Sequence, residues 1–528
     1  MKRIFKLGLI ALVALSAGVA QAWAAEGEIP PLALSPGFDD WVEQVMADWN
    51  AVGVAVAAVH LEHGEFAKGY GYRDLEKRLP VTAKTVMPIG SITKSFTAVI
   101  LAQLVDEGKL GWDDLVRRHL PDFRLRDAYA AENMRVSDLL THVSGLPRHD
   151  RMWAGRAFSR WEIYERLRYL EPSATFRGRV QYQNLMYLTA GYLAERITGE
   201  AWDDLIRTRI FKPLGMERAT TTVKDIESLG DVSESYWVHE GRPMRLPLAT
   251  LDNIAPAGAI NASVAEMIPY LRARMTLGRD ARWRLASEEN EAFMQSGHVV
   301  WGAPPQRRVY AEIGVPNYGI ALFVRHYRSH RLVHHAGEIG GFRAEIAWLP
   351  DERAGAVVLT NSNGEARVVK TIILRRLLDE LLGLDPIDWN AREHAEEAEE
   401  RPRREAARKE MEEKLKAAQV LDAPPTHPLG AYAGRYTNRA YGALEIGRSG
   451  EQLDVTLGES RALLEHYHFN MFRLTDDDTF EGKRLRGGLS GFVHFDIGKG
   501  GRIEGLSIPL EPAVSDIEFM KVDVEETE

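Results

Sequence analysis

The chain has 528 residues, which is too long for one ordinary hydrophobic core, so its length predicts two or three domains. Its 45% hydrophobic and 27% charged residues are typical of a soluble folded protein. A formal net charge of −10 argues against a general nucleic-acid or anionic-membrane binder. The sequence contains no cysteine, which excludes disulfides, thiolate metal sites and a cysteine nucleophile.

Residues 1–24 have the pattern of a cleaved secretory signal peptide. The basic start MKRIFK is followed by the apolar stretch LGLIALVALSAGVA and by small residues in AQAWA. Cleavage after Ala22 or Ala24 would deliver the mature chain to the periplasm or the exterior, with no membrane span left. The alternative is an uncleaved membrane anchor, although the apolar stretch is short for a span.

The elements expected next indicate an α/β domain over residues 30–385. The segment GVAVAAVHLEHGEFAKGYGYRDLE predicts two strands joined by a turn. Apolar residues at helical spacing predict a helix that opens at Ser91 and closes at Gly108. Further helices are expected over residues 161–170, 185–198 and 202–210. Three strands and a helix follow, and strands at both ends of a helical middle predict a sheet of sequence-distant strands.

The C-terminal part of the chain predicts a linker and a second domain. Residues 386–424 carry charges of both signs and few apolar residues, which predicts a solvated helix or linker interrupted at Pro402. Residues 425–528 contain short alternating runs such as GALEIG, QLDVTL and GFVHFDIG, separated by turn residues. This pattern predicts a small all-β domain, either a barrel or a sandwich.

Ser91 and Lys94 form an S-x-x-K motif at the start of the first long helix. Because residues three apart lie on one helix face, the two side chains can meet. The helix dipole and burial both disfavour a cation there, so they lower the lysine pKa toward the value that a general base needs. The alternative is that Ser91 is a helix N-cap and Lys94 is exposed.

Tyr182 and Asn184 lie in a loop directly before the helix expected over residues 185–198. A phenol can shuttle a proton, and an amide can fix both the lysine and a substrate. The Y-x-N pattern is weak by itself, because a second copy at Tyr436 and Asn438 lies in the β domain. The turn-like setting of that copy indicates a structural role.

The third motif, H-x-G, begins at His335 and lies at a strand end. Its small residues, including Gly337, let a substrate lie along the strand edge, and the N–H of Glu338, paired with that of Ser91, can point at an oxyanion. A glycine-rich hairpin is the alternative. His334 is expected to be structural, because adjacent strand residues face opposite sides.

The order S-x-x-K, Y-x-N, H-x-G is far more specific than any one motif, and it resembles the serine β-lactamase-like and penicillin-binding-protein-like superfamily. The resemblance is to the class C β-lactamase, esterase and D-aminopeptidase branch, peptidase family S12, and it covers residues 35–385. The segments LLTHVSGLPRHD, PLGMERATTT and APAGAINASVAEMIPYL resemble those that accompany the motifs. The resemblance implies an α/β fold with an antiparallel sheet, flanking helices and an all-α subdomain. The C-terminal β domain resembles a lipocalin-like appendage of some members.

The resemblance also implies a role for each motif residue. Ser91 would be the acylated nucleophile, and Lys94 would take its proton. Tyr182 would protonate the leaving group, and Asn184 would bind a substrate amide. Among the catalytic residues His335 occupies the position where β-lactamases and transpeptidases usually carry the lysine of a K-T-G motif.

The histidine at this position bears on the substrate. A lysine there clamps a substrate carboxylate, whereas a histidine with an unperturbed pKa near ~6.5 is mostly neutral at pH 7. His335 therefore favours esters, amides or amino-terminal peptide substrates over β-lactams. Gly337 is expected at the substrate, and Arg148 and His149 fall where the family places a side chain facing the acyl amide.

These features predict an exported serine hydrolase that acts on amide or ester bonds through an acyl-enzyme. A peptidase of the D-aminopeptidase type is preferred, in which Asp150 or Glu338 could hold a substrate ammonium. A carboxylesterase and a weak β-lactamase are alternatives on the same site, and a non-catalytic periplasmic peptide-binding or sensor protein is the alternative from another class. The expected partner is a small-molecule or peptide substrate, with no nucleic acid, no metal and no organic cofactor; a homo-oligomer is also an option.

Overall fold

A nine-stranded antiparallel sheet is the largest element of the computed structural model, which describes residues 31–302, 310–475 and 489–522. The predicted signal peptide lies outside these residues. The early strand Gly53–His60 pairs with the late strand Ala354–Thr360, with Val56 opposite Val358. In spatial order the strands are Leu79–Pro80, Gly64–Asp74, Gly53–His60, Ala354–Thr360, Phe342–Leu349, His330–Ile339, Phe323–Tyr327, Asn317–Tyr318 and Val299–Val300. This arrangement confirms the prediction of a sheet built from strands distant in sequence.

Both faces of the sheet are covered. Along Gly53–His60, alternate side chains enter two separate hydrophobic cores: Ala55 and Ala57 one core, Val54 and Val56 the other. This explains why the strand is an unbroken apolar run in the sequence. The α-helices of the described residues are Phe38–Asp48, Thr93–Asp106, Val116–His119, Ala128–Asn133, Val136–Leu139, Arg160–Arg166, Leu185–Thr198, Trp202–Ile206, Lys212–Leu214, Val223–Ile226, Ala255–Gly258, Val264–Met275, Glu288–Met294, Val369–Leu381 and Trp389–Ala418.

The predicted helices of the middle segment differ from the structure mainly at their ends. The helix expected over residues 185–198 is Leu185–Thr198, ending at Gly199 with φ +76°. The helix expected over residues 161–170 is Arg160–Arg166 and ends in the 3₁₀ turn Leu167–Tyr169. The helix expected over residues 202–210 widens into the π turn Arg207–Phe211 and continues to Leu214.

The linker is one long helix, Trp389–Ala418, and the predicted interruption at Pro402 is wrong. Residues 401–414 are exposed, so the carbonyl that Pro402 cannot pair is able to bond to water. The helix is anchored at both ends. Trp389 is fully buried against the α/β domain, and Glu412 forms a 3.2 Å ion pair with Arg473 of the β domain.

The C-terminal domain is a closed eight-stranded antiparallel barrel, which decides between the two predicted forms. Its first and last strands pair, with Tyr436 opposite Lys521. Its strands are Gly434–Asn438, Gly442–Ser449, Gln452–Leu457, Ser460–His468, Met471–Thr475, Gly491–Ile497, Ile503–Ile508 and Ile517–Val522. The second Y-x-N copy is structural here: Tyr436 is buried in the barrel, and the Asn438 side chain accepts from the Ala440 and Tyr441 amides.

The barrel docks on the helical part of the first domain through backbone contacts. The Glu459 amide donates to the Gly155 carbonyl at 2.9 Å, and Arg156 donates to the Ala443 carbonyl at 3.0 Å. Arg166 donates to the Arg439 carbonyl at 2.7 Å. Within the described residues, no helix combines the length and the apolar character that crossing a membrane requires.

Candidate active site

Ser91 lies in a 3₁₀ turn, Gly90–Ile92, directly before the helix Thr93–Asp106. Gly90 has φ +52°, and a Cβ there would lie 2.7 Å from the Glu338 nitrogen, so the turn requires glycine. No side chain caps this helix, so Ser91 is not its N-cap. The turn instead presents a partly exposed serine to a cavity.

Lys94 is completely buried one turn further on. Its Nζ lies 2.9 Å from Ser91 Oγ, 2.8 Å from Asn184 Oδ1 and 2.8 Å from the Ala257 carbonyl oxygen. Burial holds the pKa of Lys94 well below its ordinary value; the charge of Arg148 lowers it further, and Asp150 opposes them. The exposed-lysine alternative therefore does not describe this residue.

The three neighbours of Lys94 suit a neutral amine. The Asn184 amide donates from Nδ2 to Asp150 Oδ1 at 3.1 Å, and a carboxylate only accepts, so Asn184 must turn its oxygen to the lysine. That oxygen and the Ala257 carbonyl take the two N–H bonds of the amine. The remaining lone pair faces Ser91 Oγ, which is the arrangement that a general base for this hydroxyl needs.

The hydroxyl of Tyr182 is hydrogen bonded to Ser91. Its ring centroid is 4.9 Å from Lys94 Nζ, 5.2 Å from Arg148 Cζ and 4.4 Å from the ring of His142. Burial raises the pKa of Tyr182 above its ordinary value, so the phenol is protonated at neutral pH. The structure thus pairs an unprotonated base with a protonated acid at one serine.

His335 is buried and does not line the cavity. Its Nδ1–H donates to the Ala336 carbonyl at 2.7 Å, and its Nε2 accepts from the Tyr318 hydroxyl at 3.1 Å. Burial, and then the charge that Lys94 carries when it is protonated at low pH, lower the pKa of His335 to about 3. The ring is therefore neutral at pH 7, and it presents no cation to a substrate carboxylate.

Tyr318 and His142 extend this buried network, and neither was predicted from the sequence as a site residue. His142 Nε2 lies 3.2 Å from the Tyr318 hydroxyl, while its Nδ1 accepts from the Gln183 amide at 3.3 Å. His142 Nε2–H therefore donates to the Tyr318 hydroxyl, and that hydroxyl donates to His335 Nε2, with both histidines neutral. His142 stands in the segment LLTHVSGLP, which did signal the family, but nothing in the sequence around Tyr318 marks it.

Gly337 brings the strand His330–Ile339 into backbone contact with the serine turn. A Cβ on Gly337 would lie 1.9 Å from the Ile89 carbonyl oxygen and 3.1 Å from the Ser91 nitrogen. This close approach brings the backbone nitrogens of Ser91 and Glu338, the predicted oxyanion donors, into the same neighbourhood. Gly337 is buried and serves the close packing of two backbone segments, so it does not line the cavity as a substrate contact would. Its neighbour Glu338 is exposed and does line the cavity.

Arg148 and His149 were predicted together at the substrate, but they lie on different sides of their loop. Arg148 lines the cavity and forms a 2.5 Å ion pair with Asp150. His149 is fully buried, and both of its ring nitrogens are hydrogen bonded. One is bonded to the Tyr441 hydroxyl of the barrel and the other to the Glu171 carbonyl of the first domain. Its position therefore does not support the predicted contact between His149 and an acyl amide.

His334 lies on the face of the strand opposite His335. Its Nδ1 is 3.4 Å from Glu345, and Glu345 is ion-paired with the buried Lys370 on the other side of the sheet. Its neighbours are structural groups, as strand alternation predicts.

The cavity in front of Ser91 has a volume of about 750 Å³ and is formed by both domains. The α/β domain contributes Ser91, Arg148, Asp150 and Asn184. The barrel contributes Glu459, Ser460, Arg461, Leu510, Glu511 and Pro512. The barrel residues had no signal in the sequence, because their place in the site depends on how the two domains dock.

Comparison with known proteins identifies the class to which this fold and site belong. The family model described as Beta-lactamase matches residues 38–380, and the chain belongs to that family of serine hydrolases. A second model, described as a domain of unknown function (DUF3471), matches residues 418–521, which include the barrel.

Individual relatives agree with this assignment. The chain is 29% identical over 430 residues to the unguisins hydrolase ungD' of Aspergillus campestris, covering 78% of each chain. It shares its fold with an octameric penicillin-binding protein homologue from Pyrococcus abyssi at a TM-score of 0.57 and 24% identity, covering 92% of this chain and 99% of that one. It also shares its fold with the D-amino acid amidase of Ochrobactrum anthropi SV3 at a TM-score of 0.53 and 22% identity, covering 66% of this chain and 97% of that one.

The neutral buried state of His335 predicts a pH-dependent stability. With a pKa of about 3 in the folded protein and near ~6.5 in the unfolded chain, the unfolded chain binds the proton first as pH falls. The contribution of His335 to the stability of the fold is complete above the pKa of the unfolded chain, and it is lost as pH falls toward 3. The free energy of unfolding, measured with denaturant, should fall between pH 6.5 and pH 4 in both proteins. In His335→Gln this decrease should be smaller than in the wild type by about 1 kcal/mol or more.

The matched control is His326→Gln, which changes an exposed histidine on the neighbouring strand Phe323–Tyr327. It should leave the pH dependence of the unfolding free energy unchanged. If the unfolding free energy of His335→Gln changed with pH as steeply as that of the wild type, the assignment of a neutral, buried His335 would be contradicted.

Proposed function

We propose that the protein is an exported serine hydrolase that cleaves amide or ester bonds through an acyl-enzyme on Ser91, with D-aminoacyl amides and peptides as its preferred substrates. The observation that carries the proposal is the Lys94 amine, which is buried, donates to two fixed acceptors and lies 2.9 Å from Ser91 Oγ. Export to the periplasm or exterior is supported by the N-terminal pattern MKRIFKLGLIALVALSAGVA.

In the first step Ser91 Oγ attacks the substrate carbonyl carbon and its proton passes to Lys94. The carbonyl oxygen becomes an oxyanion, and the N–H groups of Ser91 and Glu338 stabilise it; losing one such donor typically costs about 10²–10³ in rate. The Asn184 oxygen and the Ala257 carbonyl then hold the Lys94 ammonium that has formed.

In the second step the bond to the leaving nitrogen or oxygen breaks. Tyr182, which is protonated at neutral pH, gives its proton to the leaving group and recovers one from the Lys94 ammonium. Water then attacks the acyl carbon of the ester on Ser91, passes its proton back through the same groups, and releases the acid.

The preference for substrates without a carboxylate clamp rests on His335. That ring is neutral and turned toward Tyr318, so the cation that holds a substrate carboxylate in other family members has no counterpart there. One carboxylate of the barrel, Glu459, lines the cavity and forms no ion pair among the described residues. It favours an ammonium group on the substrate. The D configuration is inferred from the D-amino acid amidase that shares this fold.

Covalent labelling tests the nucleophile and the non-catalytic alternative. A fluorophosphonate should form one adduct on Ser91, found by peptide mass spectrometry, because the neutral Lys94 accepts the proton as the Oγ–P bond forms and fluoride leaves. Ser91→Ala should abolish the adduct. Ser95→Ala is the matched control, since Ser95 is buried in the same helix and bonds to the Ile92 carbonyl. A folded wild type with no adduct would support a binding or sensor protein instead.

Tyr182→Phe tests the acid. The variant keeps the ring and loses the proton donor, so kcat should fall by about 10²–10⁴ with an unchanged thermal midpoint. Tyr192→Phe, on the helix Leu185–Thr198 but packed against Tyr164 and Trp161, should retain normal turnover. Near-normal turnover in Tyr182→Phe would rule out its assigned role.

A hydrolysis panel tests the substrate class. D-aminoacyl anilides should be cleaved with a higher kcat/KM than L-aminoacyl anilides, and an N-acetylated D-aminoacyl anilide should react about tenfold more slowly or worse because it lacks the ammonium. Ser91→Ala is the blank. A higher kcat/KM for p-nitrophenyl esters that lack an amine, or for a chromogenic β-lactam, would replace the peptidase by the esterase or β-lactamase alternative.

A further inference from the structure

The barrel holds the active-site loop at His149. The Glu171 carbonyl can only accept, so His149 Nε2 carries the proton and donates to it at 2.8 Å, which leaves Nδ1 to accept from the Tyr441 hydroxyl at 2.7 Å. The backbone N–H of His149 donates to Glu511 Oε2 at 2.6 Å. Tyr441 and Glu511 both belong to the barrel domain, and all three residues are buried.

The loop is held in a conformation that depends on such contacts. His149 has φ +47° in the left-handed region, which is unfavourable for a residue with a side chain. A residue persists there only when its surroundings hold it. The two barrel contacts and the Glu171 contact hold this one, together with the Met152 N–H, which donates to the His149 carbonyl at 3.0 Å.

From this loop a continuous chain of hydrogen bonds leads to the base. Asp150, the next residue, accepts from Asn184 Nδ2 at 3.1 Å, and Asn184 Oδ1 accepts from Lys94 at 2.8 Å. If Asp150 moved, the Asn184 amide could rotate and turn its NH₂ group to Lys94. The lysine lone pair would then accept from the amide instead of from Ser91.

We propose that Tyr441 and Glu511 of the barrel are positioning residues for the Lys94 base, because they hold His149 and thereby keep Asp150 where it orients the Asn184 amide. The inference rests on the proposed acyl transfer at Ser91 and goes beyond it. The barrel is then a part of the catalytic apparatus as well as a wall of the cavity.

The charges around Lys94 give this proposal a signature in pH. The charged and titratable groups that face Lys94 from the elements around it are Arg148, Asp150, Tyr182, Tyr187, His142 and His335. Of the two loop charges, Arg148 lowers the pKa of Lys94 more than Asp150 raises it. A released loop removes this net effect and admits water, so the pKa of Lys94 rises and less neutral amine is present at pH 7.

The test is the rate of fluorophosphonate labelling at Ser91 between pH 5 and 10. In Tyr441→Phe the labelling rate at pH 7 should fall roughly tenfold, the loss expected for one buried hydrogen bond. The acid limb of the pH–rate profile, in which the rate rises as Lys94 loses its proton, should move to higher pH. The rate should therefore recover at high pH. Glu511→Ala should act in the same direction. Glu511→Gln keeps an oxygen acceptor for the His149 N–H, so it should stay closer to the wild type.

The matched control is Tyr436→Phe. Its hydroxyl is also buried in the barrel, but it donates to the Tyr432 carbonyl at 2.7 Å and does not touch the loop. This variant should keep the wild-type labelling rate and the wild-type position of the acid limb in the pH–rate profile. Thermal midpoints measured on all variants check that each is folded.

The outcomes separate this inference from the proposed function. A wild type that does not react at Ser91 overturns the proposed function and the inference with it. A reactive wild type in which Tyr441→Phe leaves the rate unchanged, or lowers it equally at every pH, overturns the inference alone, because a purely structural contact would change the active fraction without moving the limb.

Discussion

The site depends on burying the Lys94 amine without a carboxylate in contact with it. An ammonium in this position would have to leave water for neutral oxygen atoms and a serine hydroxyl, which strongly favours the unprotonated form. The amine gives its two N–H bonds to Asn184 and Ala257, and its lone pair has only Ser91 left to face. The glycine turn, the Asn184 orientation and the protonated Tyr182 all take their chemical meaning from this neutral base.

The same burial sets the state of the histidines behind the site. Burial is the first cause that lowers the pKa values of His142 and His335, and Lys94 opposes a proton on either ring once it is itself protonated. Tyr318 joins the two rings, so each is held in one tautomer. The ordinary pKa of histidine already predicts a mostly neutral ring at pH 7. The structure keeps His335 neutral over a far wider range of pH, with both ring nitrogens bonded inside the protein.

The two domains meet at the loop that carries Arg148, His149 and Asp150. One side of the loop lines the cavity and reaches Asn184, and the other side bonds to Tyr441 and Glu511. A rigid link of this kind is possible because short backbone contacts, such as Glu459 to Gly155 at 2.9 Å, fix how the barrel docks. The long exposed helix Trp389–Ala418 carries the chain to the barrel, and its charged sequence reflects that solvated path.

The sequence by itself determined much of the local structure and predicted which groups could react. Periodicity placed the helix Leu185–Thr198 and the buried strand Gly53–His60, and three-residue spacing brought Lys94 to Ser91, because these depend on neighbours along the chain. Only the tertiary structure decided that Asn184 meets Lys94 across 90 residues and that Tyr441 meets His149 across 292. Such pairings, like the Tyr318 contact of His335, follow from how sheet, helices and barrel dock, and no local pattern in the chain records them.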